Sequence, residues 1–307
     1  MSDSVILESF PLGFPWPTLD PFLFCVYHLD EYPQGTEALG PDPGLLAGRE
    51  IGQDFTIKDG WRMYHGDVVP GFPQWMTAGK GIQHAEMFPL LSPHQPNPNE
   101  LFQIWLNLPR AKKFVEPYYG MLWQEKIPTW ESPPEAGPAV SVKILAGSLA
   151  GLKPPAPPPD SWAADPANQV AIWTITLAAH ATWTLPAAGA ELNRCLYYYQ
   201  GQGLKLAEQN IGPPLGLRLK SDAEVQMLNG PAESRLLLLQ GKPIAEPVTQ
   251  YGPFVMNSEA EIRQAFRDYQ RDQFGGWPWP ASGPVMPREQ GRFARYADGR
   301  LESPDQT

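Results

Sequence analysis

The chain has 307 residues, of which 42% are hydrophobic and 18% charged; 37 are prolines, and the formal net charge is −10. The proline content excludes a helical bundle, because proline breaks helix interiors, and suits many short strands joined by tight turns. The acidic balance excludes binding to nucleic acid through phosphate neutralisation, which needs a basic patch; the densest basic run, Arg110-Ala111-Lys112-Lys113, reads as a solvated turn.

The first aromatic, apolar run, residues 20–29, reads as a buried strand, with Cys25 inside it. Residues 32–54 are rich in Gly and Pro and read as loop. Residues 61–69 form a strand or an ordered loop that ends at Pro70-Gly71-Phe72-Pro73. Next comes Trp75-Met76-Thr77-Ala78-Gly79-Lys80-Gly81-Ile82-Gln83-His84-Ala85-Glu86, a glycine-rich turn at 78–81 followed by a His-x-Glu pair. If residues 84–86 are extended, His84 and Glu86 project from one face of a strand. Imidazole plus carboxylate is the donor mix of non-haem iron, manganese or zinc sites. Leu101 to Leu108 alternates bulky and polar residues and stops at Pro109, which predicts a strand.

From about residue 138 onward, short strand-like runs recur at 140–145, 170–177, 181–185, 195–200, 216–220, 225–228 and 235–240, the pattern of a sandwich or barrel. The proline-rich stretch 153–160 is a stiff extended loop inside this block rather than a linker between domains. Tyr197-Tyr198-Tyr199 reads as a strand with aromatics on both faces, and Gly201-Gln202-Gly203 as a tight turn rather than part of a dinucleotide fingerprint. Ser258 and Glu261 fit a capping box, and Ile262, Phe266 and Tyr269 follow at helical spacing, predicting a helix over 258–274 that packs on the barrel and ends near Phe274-Gly275-Gly276, where glycine tolerates the left-handed C-terminal conformation. Residues 277–307 read as a loose tail. Cys25 and Cys195 match no metal or redox spacing and read as buried apolar side chains of a reducing compartment. With no signal-peptide pattern and no membrane-length apolar run, the expectation is a cytoplasmic protein.

Several of these stretches together resemble the pirin family of tandem cupin proteins. They are Trp75 to Met87, Ile104-Trp105-Leu106-Asn107-Leu108-Pro109, Glu116-Pro117-Tyr118-Tyr119, Pro243 to Val248, and Tyr251 to Asn257 leading into the capped helix. The resemblance spans residues 14–279. It implies an all-β chain of two cupin-type β-barrels with a short C-terminal helix, divided as 1–120, 121–276 and the tail 277–307. It also implies one metal, usually iron (Fe2+), held in the first barrel by three histidines and one glutamate. Quercetin 2,3-dioxygenase-like activity on a flavonoid-like small molecule, or a role as the binder of a protein partner, follows from the same resemblance, as does a monomeric state.

The chain departs from the family where Gly71-Phe72-Pro73-Gln74 runs straight into Trp75. The His-Pro-His-Arg-Gly-Phe-Glu-Thr segment that supplies two ligands in the family is missing, with roughly three to four dozen residues, or several short strands and turns. The first barrel is therefore expected to be incomplete. Only His84 and Glu86 carry over as metal ligands, with Glu86 also able to take a proton from a substrate hydroxyl. Of the other histidines, His28 reads as a core residue, His65 as a structural hydrogen-bonding group, His94 as solvent-exposed and His180 as a turn or strand-end residue. Three readings follow: a metal-dependent dioxygenase, a non-catalytic cupin that binds a protein or small molecule, and an internally deleted, inactive copy.

Overall fold

The computed structural model describes residues 4–32, 34, 64–66, 74–84, 90, 92–277 and 293–304, the side chains of 64–66 and 99 excepted. The chain folds as two compact units that draw on interleaved segments. The first comprises Met1–Val26, Trp105–Pro109 and Lys126–Ala245; the second comprises Tyr27–Ile104, Arg110–Glu125 and Glu246–Thr307.

In chain order the strands are β1 (Ile6–Pro11), β2 (Phe22–Tyr32), β3 (Tyr64–Gly66), β4 (Gln74–Thr77), β5 (Asn97–Leu106), β6 (Tyr118–Met121), β7 (Thr129–Glu131), β8 (Val140–Ala146), β9 (Ala171–Leu177) and β10 (Thr182–Leu185). They continue with β11 (Asn193–Gln200), β12 (Leu204–Leu206), β13 (Gln209–Ile211), β14 (Leu215–Leu219), β15 (Val225–Asn229), β16 (Ser234–Gly241), β17 (Thr249–Tyr251), β18 (Phe254–Met256), β19 (Ala294–Arg295) and β20 (Leu301–Glu302). The helix α1 is Glu259–Asp272.

The first unit is built on a seven-stranded sheet, ordered β1-β14-β11-β16-β9-β8-β7, and a four-stranded sheet, ordered β10-β15-β12-β13. Val, Ile, Leu and aromatic side chains alternate inward from both sheets. They form one core that includes Val142, Ile175, Leu185, Leu196, Leu217 and Leu238. All seven strand-like runs read from residue 138 onward are strands here, and the proline-rich stretch 153–160 is the connection between β8 and β9. Strand β1 went unread in the sequence; it pairs antiparallel with β14, with Phe10 opposite Gly216. Tyr197 and Tyr198 are both fully buried on opposite faces, Tyr197 stacked on Trp16 at 5.4 Å and Tyr198 in the core. Cys25 and Cys195 are buried and unbridged. Burial pushes both thiols up, Cys195 to about 11, which makes them packing residues at neutral pH.

In the second unit the described strands form one three-stranded sheet, β2-β5-β3, and the pairs β4-β6, β17-β18 and β19-β20. The capping box is present: the Glu261 N–H donates to Ser258 Oγ at 3.4 Å, and the Glu261 carboxylate accepts from the Ser258 hydroxyl at 2.9 Å and the Asn257 N–H at 3.1 Å. The helix does not end on glycine as the sequence suggests. Its left-handed cap is Gln273 (φ 49), followed by Phe274 (φ 54). Nor does its apolar face pack on a barrel: Ile262 and Ala265, with Phe266 and Tyr269 beside them, pack on Phe254 and Met256 of the β17–β18 hairpin.

Two further expectations are corrected. Residues 277–307 are not wholly a loose tail, since β19 and β20 pair and Ala294 is buried. The reason is Trp123, which is fully buried and donates its indole N–H to Glu302 at 2.7 Å, while the Tyr296 hydroxyl holds the other carboxylate oxygen at 2.6 Å. The basic run 110–113 is not uniformly solvated either, because Lys113 is buried. Among the described residues, no helix is long and apolar enough to cross a membrane.

Candidate functional site

The His84 segment starts from β4, all four residues of which are buried and which pairs with β6 from Gln74↔Met121 to Thr77↔Tyr118. The turn then closes with the Gly81 N–H on the Ala78 carbonyl at 2.9 Å. Gly79 adopts φ +51 and lies so close to the Val115 carbonyl that a Cβ there would overlap its oxygen. The Lys80 N–H donates to that same oxygen at 2.9 Å, and the Lys80 ammonium pairs with Glu116. Gly81, at φ +130, lies against the Phe274 ring, and Gln83 Nε2 donates to the Gln273 carbonyl at 2.6 Å. The two left-handed residues after α1 thus grip the segment that carries His84.

The expected glycine-rich turn is therefore present, and residues 81–84 after it lie outside the named strands; the rest of the expected extended stretch 84–86 falls outside the described residues. Pairing with β6 stops at Thr77 because the turn hands its hydrogen bonds to residue 115 and to Gln273 instead. His84 is half-buried, with Nδ1 shut off from solvent. Glu86 lies outside the described residues.

The remaining histidines separate by position. His28 is half-buried on β2 with Asp30 at 3.9 Å, two residues along the same strand face. His65 lies on β3 with its backbone opposite Phe102 of β5. His94 is exposed in a turn and lends its carbonyl to Gln34 Nε2 at 2.8 Å. His180 is an exposed turn residue at φ 62 in the first unit. Among the described residues, no three His, Cys, Asp or Glu side chains gather as a metal-holding group. The chain has five histidines in all, so a site of three histidines and one glutamate would have to recruit at least one of His28, His94 and His180, none of which joins such a group among the described residues. The described residues by themselves do not assemble the four-ligand centre that the resemblance implies.

Charged residues buried in this unit gave no signal in the sequence pattern. Glu100, on β5, is 2% exposed and accepts from the Tyr27 hydroxyl at 2.9 Å. Lys113 lies in a cluster with Arg110, Glu246, Glu261 and Asn257. Arg110 pairs with Glu261 at 2.8 Å and donates its N–H to Glu246 at 2.6 Å, and Asn257 Nδ2 donates to Glu246 at 3.1 Å. Burial pulls the Lys113 amine down to about 8, with Glu246 and Glu261 opposing the shift. Between pH 8 and 10.5, the unfolded lysine keeps its proton and the folded one has shed it. The unfolded state then binds more protons, so stability rises with pH across that window. The stability difference between wild type and Lys113→Met, from denaturant titrations at about pH 7 and about pH 11, is expected to move by about 3 kcal/mol in favour of wild type. A difference that stays flat contradicts this placement of Lys113.

Comparison with known proteins bears on the whole chain. The Pirin family model matches residues 57–106, and the model of the Pirin C-terminal cupin domain matches residues 172–275. A pirin-like protein of Solanum lycopersicum is 32% identical, covering 84% of this chain and 82% of its own length. Human pirin is 32% identical over 84% of this chain and 83% of its own. A Pseudomonas aeruginosa relative named as a candidate quercetin 2,3-dioxygenase is 33% identical over 84% of this chain and 88% of its own. The crystal structure of a quercetin 2,3-dioxygenase from Acinetobacter baumannii superposes with a TM-score of 0.61, covering 83% of this chain and 86% of that one; at 22% identity it shows the shared fold. Two cupin-type domains in one chain, the turn at 78–81, the capped helix after β18 and this coverage by relatives agree: the chain belongs to the pirin family.

Proposed function

We propose that this chain is a pirin-type bicupin whose metal centre is impaired, with His84 and Glu86 left as a two-donor remnant. On this reading it does not sustain quercetin 2,3-dioxygenase-type turnover and works by binding a flavonoid-like small molecule or a protein partner. The observation that carries the proposal is the donor set: the chain has only five histidines, and among the described residues no three His, Cys, Asp or Glu side chains gather as a metal-holding group. The smallest protein ligand set common in iron–oxygen chemistry is two histidines and a carboxylate. His84 with Glu86 falls one short. The rival reading, an iron-dependent dioxygenase, draws its support from the turn that precedes His84 and from the activity named for the bacterial relatives.

Metal analysis of the full chain, purified without chelator and again after Fe2+ loading, separates the two readings. Far less than one iron per chain is expected, with no consumption of quercetin above the buffer rate. Near-stoichiometric iron that is lost in His84→Ala, together with quercetin turnover, overturns the proposal and restores the enzyme.

A further inference from the structure

The core of the first unit contains a charge that no described carboxylate balances. On β11, side chains two apart share a face, so Arg194 lies in line with Leu196 and Tyr198, which belong to the core between the two sheets. The cross-strand pairs Arg194↔Gln240, Leu196↔Leu238 and Tyr198↔Leu236 put Gln240 on the same inner face of β16. Arg194 is 1% exposed. Its Nε donates to Gln240 Oε1 at 2.7 Å and its Nη1 to the Pro186 carbonyl at 3.0 Å. A guanidinium has five N–H donors, so one on Nη1 and both on Nη2 are left over.

No described carboxylate contacts Arg194, and burial alone acts on its ionisation, pulling it to about 10 with no neighbouring anion to oppose it. Its side-chain partner Gln240 is neutral and already engaged at its other end, where Gln240 Nε2 donates to the Gln169 carbonyl at 3.2 Å. The other end of the same core differs. There the Tyr198 hydroxyl, Ser234 and Asn229 form a network that satisfies itself. A buried charge without a partner is costly, and an unfilled guanidinium edge offers parallel N–H groups that fit a carboxylate.

We propose that this end of the first unit is an anion site in which Arg194 receives the carboxylate of a small organic acid. The site is separate from the His84 segment and does not depend on the reading of the metal centre. With one edge engaged and a net charge of −10 opposing approach, a minimal carboxylate should bind with a Kd of about 1–10 mM.

The test is titration of the full chain with acetate against chloride at constant ionic strength, followed by the Arg194 Nε–H resonance and by Tm. A saturable shift of that resonance and an acetate-dependent rise in Tm are expected in wild type. Arg194→Gln should lose both responses, and Arg194→Lys, which keeps the charge without the fork, should bind about tenfold more weakly. No saturable response in wild type overturns the proposal whether or not either variant folds. An acetate response that survives in Arg194→Gln, or is undiminished in Arg194→Lys, overturns the assignment to this side chain. Inorganic phosphate titrated in parallel should bind more weakly, and preference for phosphate overturns the carboxylate class.

Discussion

Gly79→Ala is expected to destabilise the second unit by about 3 kcal/mol or more, the largest effect of any substitution in the turn that precedes His84. Two costs combine. At φ +51 an alanine sits in the left-handed region, which costs about 1 kcal/mol relative to glycine. The added Cβ would also overlap the Val115 carbonyl oxygen and come within 3.0 Å of its carbon. That carbonyl is not free to move aside, because it accepts the Lys80 N–H at 2.9 Å. Gly252 provides the control within the same unit: it has nearly the same φ, +53, and open space where its Cβ would be. Gly252→Ala should therefore show the backbone cost alone, about 1 kcal/mol. Urea unfolding monitored by a second-unit probe such as Trp123 fluorescence measures both. Equal losses in the two variants would refute the close approach of residues 79 and 115.

Asn229→Ala should cost the first unit about 3–4 kcal/mol. Asn229 is 3% exposed, and its Nδ2 lies 2.9 Å from each of the Leu177, Ala178 and Ala232 carbonyls, while its Oδ1 accepts the Ser234 hydroxyl at 2.5 Å. Truncation leaves three carbonyls and a hydroxyl, itself bonded to Tyr198 at 3.2 Å, short of a partner in a water-poor interior. Asn210→Ala, on the exposed strand β13, should stay within about 0.5 kcal/mol. Denaturant midpoints compare the two, and similar values would mean that the Asn229 network contributes nothing to this end of the core. The same variant bears on Arg194 by contrast, since polar groups at one end of the core are satisfied by the chain and at the other end are not.

Local signals in the sequence were sufficient wherever the cause of structure is itself local. Alternation of side chains gave the seven strand runs of the first unit, because burying one face of a strand fixes a period of two. The capping pair Ser258 and Glu261 gave the start of α1, because orphan amides at a helix start demand nearby acceptors. The glycines at 79 and 81 gave the turn. The helix end was misread because a left-handed cap on Gln273 and Phe274 is imposed from outside the helix, by the Gly81 and Gln83 contacts, over the preference for Gly275.

His84 could be picked out, since a histidine after a recognisable turn is a sequence feature; where the hydrogen bonds of residues 79–83 go could not, since their partners lie far along the chain. Charged residues behaved likewise. Nothing in the text of the chain separates buried Lys113, Glu100 and Arg194 from exposed Lys126, Glu116 and Arg110, because burial of a charge is decided by elements distant in sequence.

By itself, then, the sequence determined the all-β class, the positions of most strands, the family and the shortage of metal-ligating histidines, all of which are properties of residue order and count. Only the tertiary structure decided that β1 completes a sheet with β14, that Glu302 folds back to hold the Trp123 indole, and that Arg194 is buried with no described carboxylate against it. Each of these joins residues far apart in the chain, where the partner is chosen by the burial and hydrogen-bond needs of the folded interior rather than by neighbouring sequence.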